Sequence, residues 1–249
     1  MGDDFEGGVF LIDKPVGPSS FRIVQLIRKA LQIKKVGHTG TLDPFASGLL
    51  IVCVGRPATR MISQLMAGDK LYEAVLQLGV ETDTLDTEGQ IISVQPVGSL
   101  TASDVENCLA KFRGALLQAP PAFSAAKYKG KPLYHYARKG VMIEKEPRPV
   151  FIRELRCLAL EAEQMVIRVR CGKGTYIRTL ASDIGKALGC GAHLTALRRL
   201  ENGPFCVDGA LPGAMLESKE QARDALLANY LSVEQASRLT NSEKLVVSS

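Results

Sequence analysis

Seven consecutive residues, 48–54 (GLLIVCV), carry no polar side chain. A strand without polar alternation has to be covered on both faces, so this run predicts a central buried strand around which the rest of the chain packs. Directly before it lies GHTGTLDPFASG, residues 37–48, with three glycines, two threonines, one histidine and a single acid, Asp43. The glycines permit tight backbone geometry, and Pro44 biases Asp43 toward an extended conformation. Such a loop, entering a buried strand, can hold a carboxylate rigidly at the floor of a pocket. Read from the residues alone, a structural loop with a turn-forming Asp-Pro fits it equally well.

The remaining pattern mixes the two periodicities. Residues 8–13 read as a strand ended by Lys14-Pro15, after which Ser19 or Ser20 caps a helix with Ile23, Val24, Ile27 and Leu31 on one stripe. A helix is predicted over residues 57–66. Tyr72, Ala74, Leu76 and Leu78 alternate on one face of a strand. A polar loop (81–89), a short strand (91–94) and a helix (101–113) follow, with Ser103 and Glu106 spaced as a capping box. Residues 164–170 alternate as a strand. Gly172-Lys-Gly174 then turns into a helix striped by Ile177, Leu180, Ala181, Ile184 and Leu188, with Gly189 at its end, and a last helix is predicted over 219–230. Strands and helices interleave without a regular βαβ rhythm. The fold class expected is therefore α+β, a mixed, mainly antiparallel sheet flanked by helices.

At 249 residues the chain can form one large domain or somewhat more. No window approaches the roughly 18 apolar residues of a membrane span. The N-terminus opens acidic and lacks the basic region of a secretory signal, and Glu6 stands where a myristoylation site needs Ser or Thr. The six cysteines form no C-x-x-C pair and the three histidines are dispersed, so reduced thiols in a cytoplasmic protein, with no metal site, are expected. Nine of the 31 cations but only three of the 26 acids lie in residues 127–156, so that segment carries +6 against a net +5, and the rest of the chain −1. Tyr128, Tyr134, Tyr136 and Phe151 are interspersed there. Cations that contact phosphates, mixed with rings that stack on unpaired bases, are the composition of a nucleic-acid grip; an exposed basic loop is the plainer reading. Gly172-Lys-Gly-Thr at a helix start could cradle a phosphate but lacks Walker spacing.

GHTGTLDPFASGLL resembles the catalytic motif of the TruB family of tRNA pseudouridine synthases, and four further stretches agree in family order: FLIDKPVGPSS (10–20), DKLYEA (69–74), GKGTYIRTL (172–180) and GAHLTALRRL (191–200). The resemblance covers about residues 8–208. It implies the pseudouridine synthase fold, isomerisation of a tRNA uridine to pseudouridine (position 55, in the T-loop), and Asp43 as the catalytic carboxylate. It further implies that Arg178 holds Asp43 ionised through a fork-shaped ion pair and that Tyr72 stacks on the flipped uracil. His38 is implied to contact the RNA, Asp86 to lie close to the site, and Leu197 to pack against the base. Lys70 and Tyr176, within the same motifs, and Lys127, Lys129 and Lys131, in the basic segment, are expected substrate contacts. That segment (120–150) corresponds to the family's RNA-gripping thumb. The chemistry gives these roles a reason. Uracil must leave its stack, detach from C1′, rotate and rejoin through C5, and a carboxylate can assist the cleavage and capture or deprotonate the sugar.

One departure stands out. Many family members continue into a C-terminal PUA-type domain, whereas only about forty residues follow Asp208 here, dominated by one helix. The expected organisation is a catalytic domain over 1–210 and a short helical extension over 211–249 without a PUA domain. The expected partner is the T-arm stem-loop of tRNA, engaged by a monomer without obligate protein partner, membrane or cofactor. A non-catalytic RNA binder would not need Asp43, Tyr72 and Arg178 together, and a small-molecule enzyme would not need the basic segment.

Overall fold

The computed structural model describes residues 5–247; the acidic opening at residues 1–4 lies outside them. Two compact units form, one from the chain up to Lys70 together with the chain from Arg198, the other from Leu71–Leu197.

The first unit begins with β1 (Gly8–Lys14), α1 (Ser20–Leu31), β2 (Val36–His38), β3 (Ser47–Val54), α2 (Gly55–Arg60) and α3 (Ile62–Leu65). β3 is the apolar run, and all its residues but Ser47 are buried. It pairs antiparallel with β1, from Gly8↔Val54 to Lys14↔Gly48, and with β2. Leu50, Val52 and Val54 join Phe10, Ile12 and the Ile23, Val24, Ile27, Leu31 stripe of α1. Leu49, Ile51 and Cys53 point the other way, into a cluster with Ala58, Leu65 and Phe205. Both faces are covered, which is why no polar residue is tolerated; each fully buried Leu, Ile or Val contributes about 1.5–3 kcal/mol. Ser19 caps α1 by accepting from Arg22 N–H, which leaves Ser20 for another purpose. The helix expected over 57–66 is two short ones, because Met61 N–H bonds three residues back to Ala58 O and tightens the turn before the ladder restarts.

The second unit holds β4 (Lys70–Leu78), β5 (Val80–Thr82), β6 (Ile91–Val94), α4 (Ala102–Ala110), β7 (Gly114–Gln118), β8 (Lys127–Tyr128), β9 (Lys131–Pro132), α5 (Leu133–Ala137), β10 (Arg148–Glu161), β11 (Gln164–Cys171), α6 (Ile177–Ala187) and the first half of β12 (Ala192–Asn202). The strand order is β12-β4-β11-β10-β7, with β11-β10 and β10-β7 antiparallel. Tyr72, Ala74, Leu76 and Leu78 are buried on β4 as the alternation requires. The capping box of α4 is formed by Thr101 and Asp104 rather than Ser103 and Glu106: the helix starts at Ala102, so Thr101 is the residue with extended geometry whose hydroxyl and N–H face Asp104. β8 and β9 form a hairpin whose two turn residues, Lys129 (φ 45) and Gly130 (φ 82), both adopt the left-handed conformation that suits a two-residue β-turn.

From Arg198 the chain returns to the first unit with the rest of β12, β13 (Phe205–Cys206), β14 (Leu211–Pro212), a 3-10 turn (Gly213–Glu217), α7 (Lys219–Ala228), β15 (Tyr230–Leu231) and α8 (Val233–Val247). The order there is β14-β1-β3-β12, with β15 also on β1. Two helices stand where one was expected. The start of α8 is a Ser232–Gln235 capping box, and Ala236 is buried in the first unit's core. Among the described residues no helix is long and apolar enough to cross a membrane.

Candidate active site

The loop at residues 37–48 is held at many points, all within the first unit. Thr39 N–H donates to Ile51 O (3.0 Å), and Asn202 Nδ2 donates to Thr39 Oγ1 (3.2 Å). Arg199 is 1% exposed; its Nε donates to Leu49 O (2.7 Å) and its Nη2 to Gly40 O (3.2 Å). Ser20 Oγ accepts from Leu42 N–H (2.8 Å) and donates to Leu42 O (2.9 Å). Pro44 O accepts from Gly17 N–H (2.8 Å) and from the fully buried Lys14 Nζ (3.5 Å). Ala46 N–H closes a turn onto Asp43 O (3.1 Å). Gly48, at φ +101, lies so close to β12 that a Cβ would sit 2.2 Å from Arg199 O, so only glycine fits. Asp43 is thus a half-buried carboxylate on a segment fixed on either side.

His38 ends β2, its Nδ1 buried without a hydrogen-bond partner. Burial, and then the Arg199 charge, push its pKa below the usual histidine value, against an opposing interaction with the Gly40 backbone. Lys70 is buried and turns its ammonium onto the Met66 and Gly68 carbonyls, at the end of α3.

In the second unit Arg178 is buried. It donates to Thr84 O (2.9 Å) and Phe123 O (2.7 Å) and lies 3.3 Å from Asp86 Oδ2. Asp86 Oδ1 accepts from Thr84 Oγ1 (2.6 Å) and Glu88 N–H (3.0 Å). Leu85, between them, is at φ 66, a conformation unfavourable for leucine, so the turn presenting Asp86 stores strain. Arg178 and Asp86 are therefore brought together. Tyr72 is 9% exposed on β4, and Leu197 is buried near the middle of β12. Tyr176 precedes α6, its backbone bracketed by the Gln118 amide, which accepts from Tyr176 N–H (2.7 Å) and donates to Tyr176 O (3.1 Å).

Lys127, Lys129 and Lys131 are exposed on the β8–β9 hairpin. Lys129 Nζ lies 5.4 Å over the Tyr128 ring and Arg138 5.3 Å over Tyr134, so cations and rings are interleaved in space as well as in sequence. A second basic surface was missed. Arg28, Lys34, Lys35, Arg56 and Arg60 line an open pocket of about 590 Å³ in the first unit, with no acid among its lining residues. The signal was available: between Asp13 and Asp69 the chain holds eight cations and one acid, Asp43. Averaging the charge over everything outside 127–156 concealed it.

Residues 28–177 match the model of the TruB family pseudouridylate synthase N-terminal domain, and 178–236 that of the tRNA pseudouridylate synthase B C-terminal domain. The chain belongs to the TruB family of pseudouridylate synthases. It is 54% identical to tRNA pseudouridine synthase B of Desulfotalea psychrophila, over 95% of this chain and 98% of that protein. It is 48% identical to that of Bordetella pertussis, over 89% and 91%. Among solved structures, a Cbf5-Nop10-Gar1 complex matches with a TM-score of 0.69 at 29% identity, over 93% of this chain and 61% of that one, so the chain spans about six-tenths of its length. An H/ACA RNP bound to a substrate RNA containing 2′-deoxyuridine matches at 0.65 and 28%, over 92% and 60%. The TruB resemblance and the pseudouridine synthase fold read from the sequence are borne out.

Proposed function

We propose that this TruB-family chain isomerises one uridine of tRNA, the T-loop uridine at position 55, to pseudouridine, with Asp43 as the catalytic carboxylate. The observation that carries this is the Asp43 loop: a lone acid in a cation-rich stretch, its flanking peptides fixed by Ser20 and Gly17, on a chain whose relatives are named tRNA pseudouridine synthase B. Asp43 either attacks C1′ as the C1′–N1 bond breaks, giving an ester linkage that breaks when the rotated uracil bonds C1′ through C5, or takes a proton from C2′ and returns it as C1′–C5 forms; in both routes C5 loses its proton and the freed N1 takes one up. Tyr72 stacks on the extruded base and Leu197 packs against it. His38, neutral because its pKa is depressed, contacts the RNA and helps to keep the nucleotide out of its stack. Arg178, anchored to Asp86, supports the charge of Asp43, while Lys70 and Tyr176 line the nucleotide's surroundings. The reaction is redox-neutral, and it is carried out by a cytoplasmic monomer.

The basic hairpin with Lys127, Lys129 and Lys131, and the cation-lined pocket around Arg56 and Arg60, grip the phosphates of the T-arm. The test is to incubate the purified chain with unmodified tRNA and map pseudouridine at nucleotide resolution. One new pseudouridine, in the T-loop, is expected. Tight tRNA binding with none formed would make the chain an RNA binder, and conversion at another position would replace the substrate assignment.

A further inference from the structure

Three successive carbonyls run through the catalytic position, those of Leu42, Asp43 and Pro44, and each accepts from a placed donor: Ser20 Oγ, Ala46 N–H and Gly17 N–H. Two of these donors are backbone groups, but the third is a side chain, and Ser20 comes from the first turn of α1. It is 1% exposed, on a helix anchored in the core through Ile23 and Ile27. A hydroxyl has one proton and two lone pairs, and here both functions are spent on one residue, since Ser20 Oγ takes the N–H of Leu42 and gives to its carbonyl. The Leu42–Asp43 peptide is planar, so fixing Leu42 O also fixes the plane from which the Asp43 side chain departs. Arg199 works at longer span, joining Gly40 O in the loop to Leu49 O in β3 through one buried guanidinium.

We propose that Ser20 and Arg199 are positioning residues for the reaction at Asp43, acting through the loop backbone; this rests on the reading of Asp43 as the catalytic carboxylate. The competing explanation is that these buried bonds stabilise the fold alone. Ser19 separates the two. It is the neighbour of Ser20 at the start of the same helix, and its hydroxyl caps α1 through Arg22 N–H.

The experiment compares Ser20→Ala, Ser19→Ala, Arg199→Lys and Asp43→Asn in three measurements: single-turnover pseudouridine formation at saturating unmodified tRNA, tRNA dissociation constant, and melting midpoint. Ser20→Ala should slow the saturated rate by about 10- to 100-fold, because sub-ångström displacement of a reacting group is enough to do so. Its tRNA affinity should stay within about threefold, since the loss falls on the transition state and not on uniform binding. Ser19→Ala should lower the midpoint by about 2–4 °C and leave the saturated rate unchanged. A Ser20→Ala enzyme with the wild-type saturated rate per folded molecule overturns the proposal. If Ser20→Ala does not fold, Arg199→Lys decides: it keeps the charge, cannot span both carbonyls, and should lose rate in the same way, whereas a normal saturated rate overturns the proposal. Asp43→Asn distinguishes the two levels. If it is inactive while Ser20→Ala is normal, positioning alone fails; if it is active, the catalytic reading itself falls.

Discussion

The loop at residues 37–48 and the hairpin segment at 127–156 both carry side chains proposed to act on RNA, and they are built in opposite ways. In the loop, the cations that hold the backbone, Lys14 and Arg199, are fully buried and donate hydrogen bonds to the Pro44 and Gly40 carbonyls. In the hairpin segment, Lys127, Lys129, Lys131, Arg138 and Lys139 are exposed, with Lys129 and Arg138 lying over tyrosine rings. A group that must meet a reacting carbon loses rate steeply with displacement, so it is fixed before the substrate arrives. A group that neutralises phosphate needs only to be near it, and its contribution is read in salt dependence.

The largest effect is expected at the buried Arg178–Asp86 ion pair. Arg178→Lys cannot keep a planar fork on Thr84 O, Phe123 O and Asp86 at once, and saturated turnover should fall at least ~100-fold, about 2.7 kcal/mol of barrier. Asp86→Ala leaves a buried guanidinium without its carboxylate and should destabilise the fold by about 3–5 kcal/mol in denaturant unfolding. An Arg178→Lys enzyme of normal rate would put Arg178 outside the chemistry.

A smaller effect belongs to the grip. If the hairpin segment neutralises about four phosphates, log affinity against log salt has a slope near −3. Neutralising Lys127, Lys129, Lys131 and Lys139 together should flatten that slope and leave the saturated single-turnover rate unchanged. Arg56→Gln with Arg60→Gln should flatten it by about 1–2 as well, if the first unit's pocket carries phosphates. Coincident slopes for wild type and the quadruple variant would return the hairpin to an ordinary solvated surface; a collapsed saturated rate would mean that it helps to build the site.

The smallest expected effect is a pH dependence at His38. Its folded pKa is depressed, so as pH falls through the ordinary histidine range the unfolded chain takes up the proton first. Stability should therefore decline from about pH 6.5 downward until the folded pKa is passed, and His38→Gln should flatten that part of the profile. An unchanged profile in the variant would assign the acid sensitivity to another group.

Much of the loop was legible before the structure. The run at 48–54 announced a strand covered on both faces, and the glycines and Pro44 announced a constrained acid. What holds the loop was not legible, because the partners come from far along the chain: Ser20 is 22 residues from Leu42, and Arg199 is 150 from Leu49. Arg199 reads in sequence as one more basic residue, and nothing local shows that it is buried. β10 was missed for a different reason. Its two-residue rhythm is interrupted between Ile152 and Glu154 by a register shift, and its exposed positions include Arg148, Arg153 and Arg156, so charge hid the alternation. The second helix of the C-terminal segment was announced by Ser232 and Gln235, a capping-box spacing passed over because the helix before it dominated the pattern.

The most direct measurement is the single-turnover rate of Asp43→Asn at saturating tRNA, taken with its tRNA dissociation constant. The substitution keeps the shape of the side chain and removes the carboxylate from a loop whose backbone is held by Ser20, Gly17 and Ala46. The expected result is a rate below about one per cent of wild type, a barrier increase beyond ~2.7 kcal/mol, with affinity within a few fold. A residual rate above that threshold, with affinity intact, would contradict the assignment of the chemistry to Asp43.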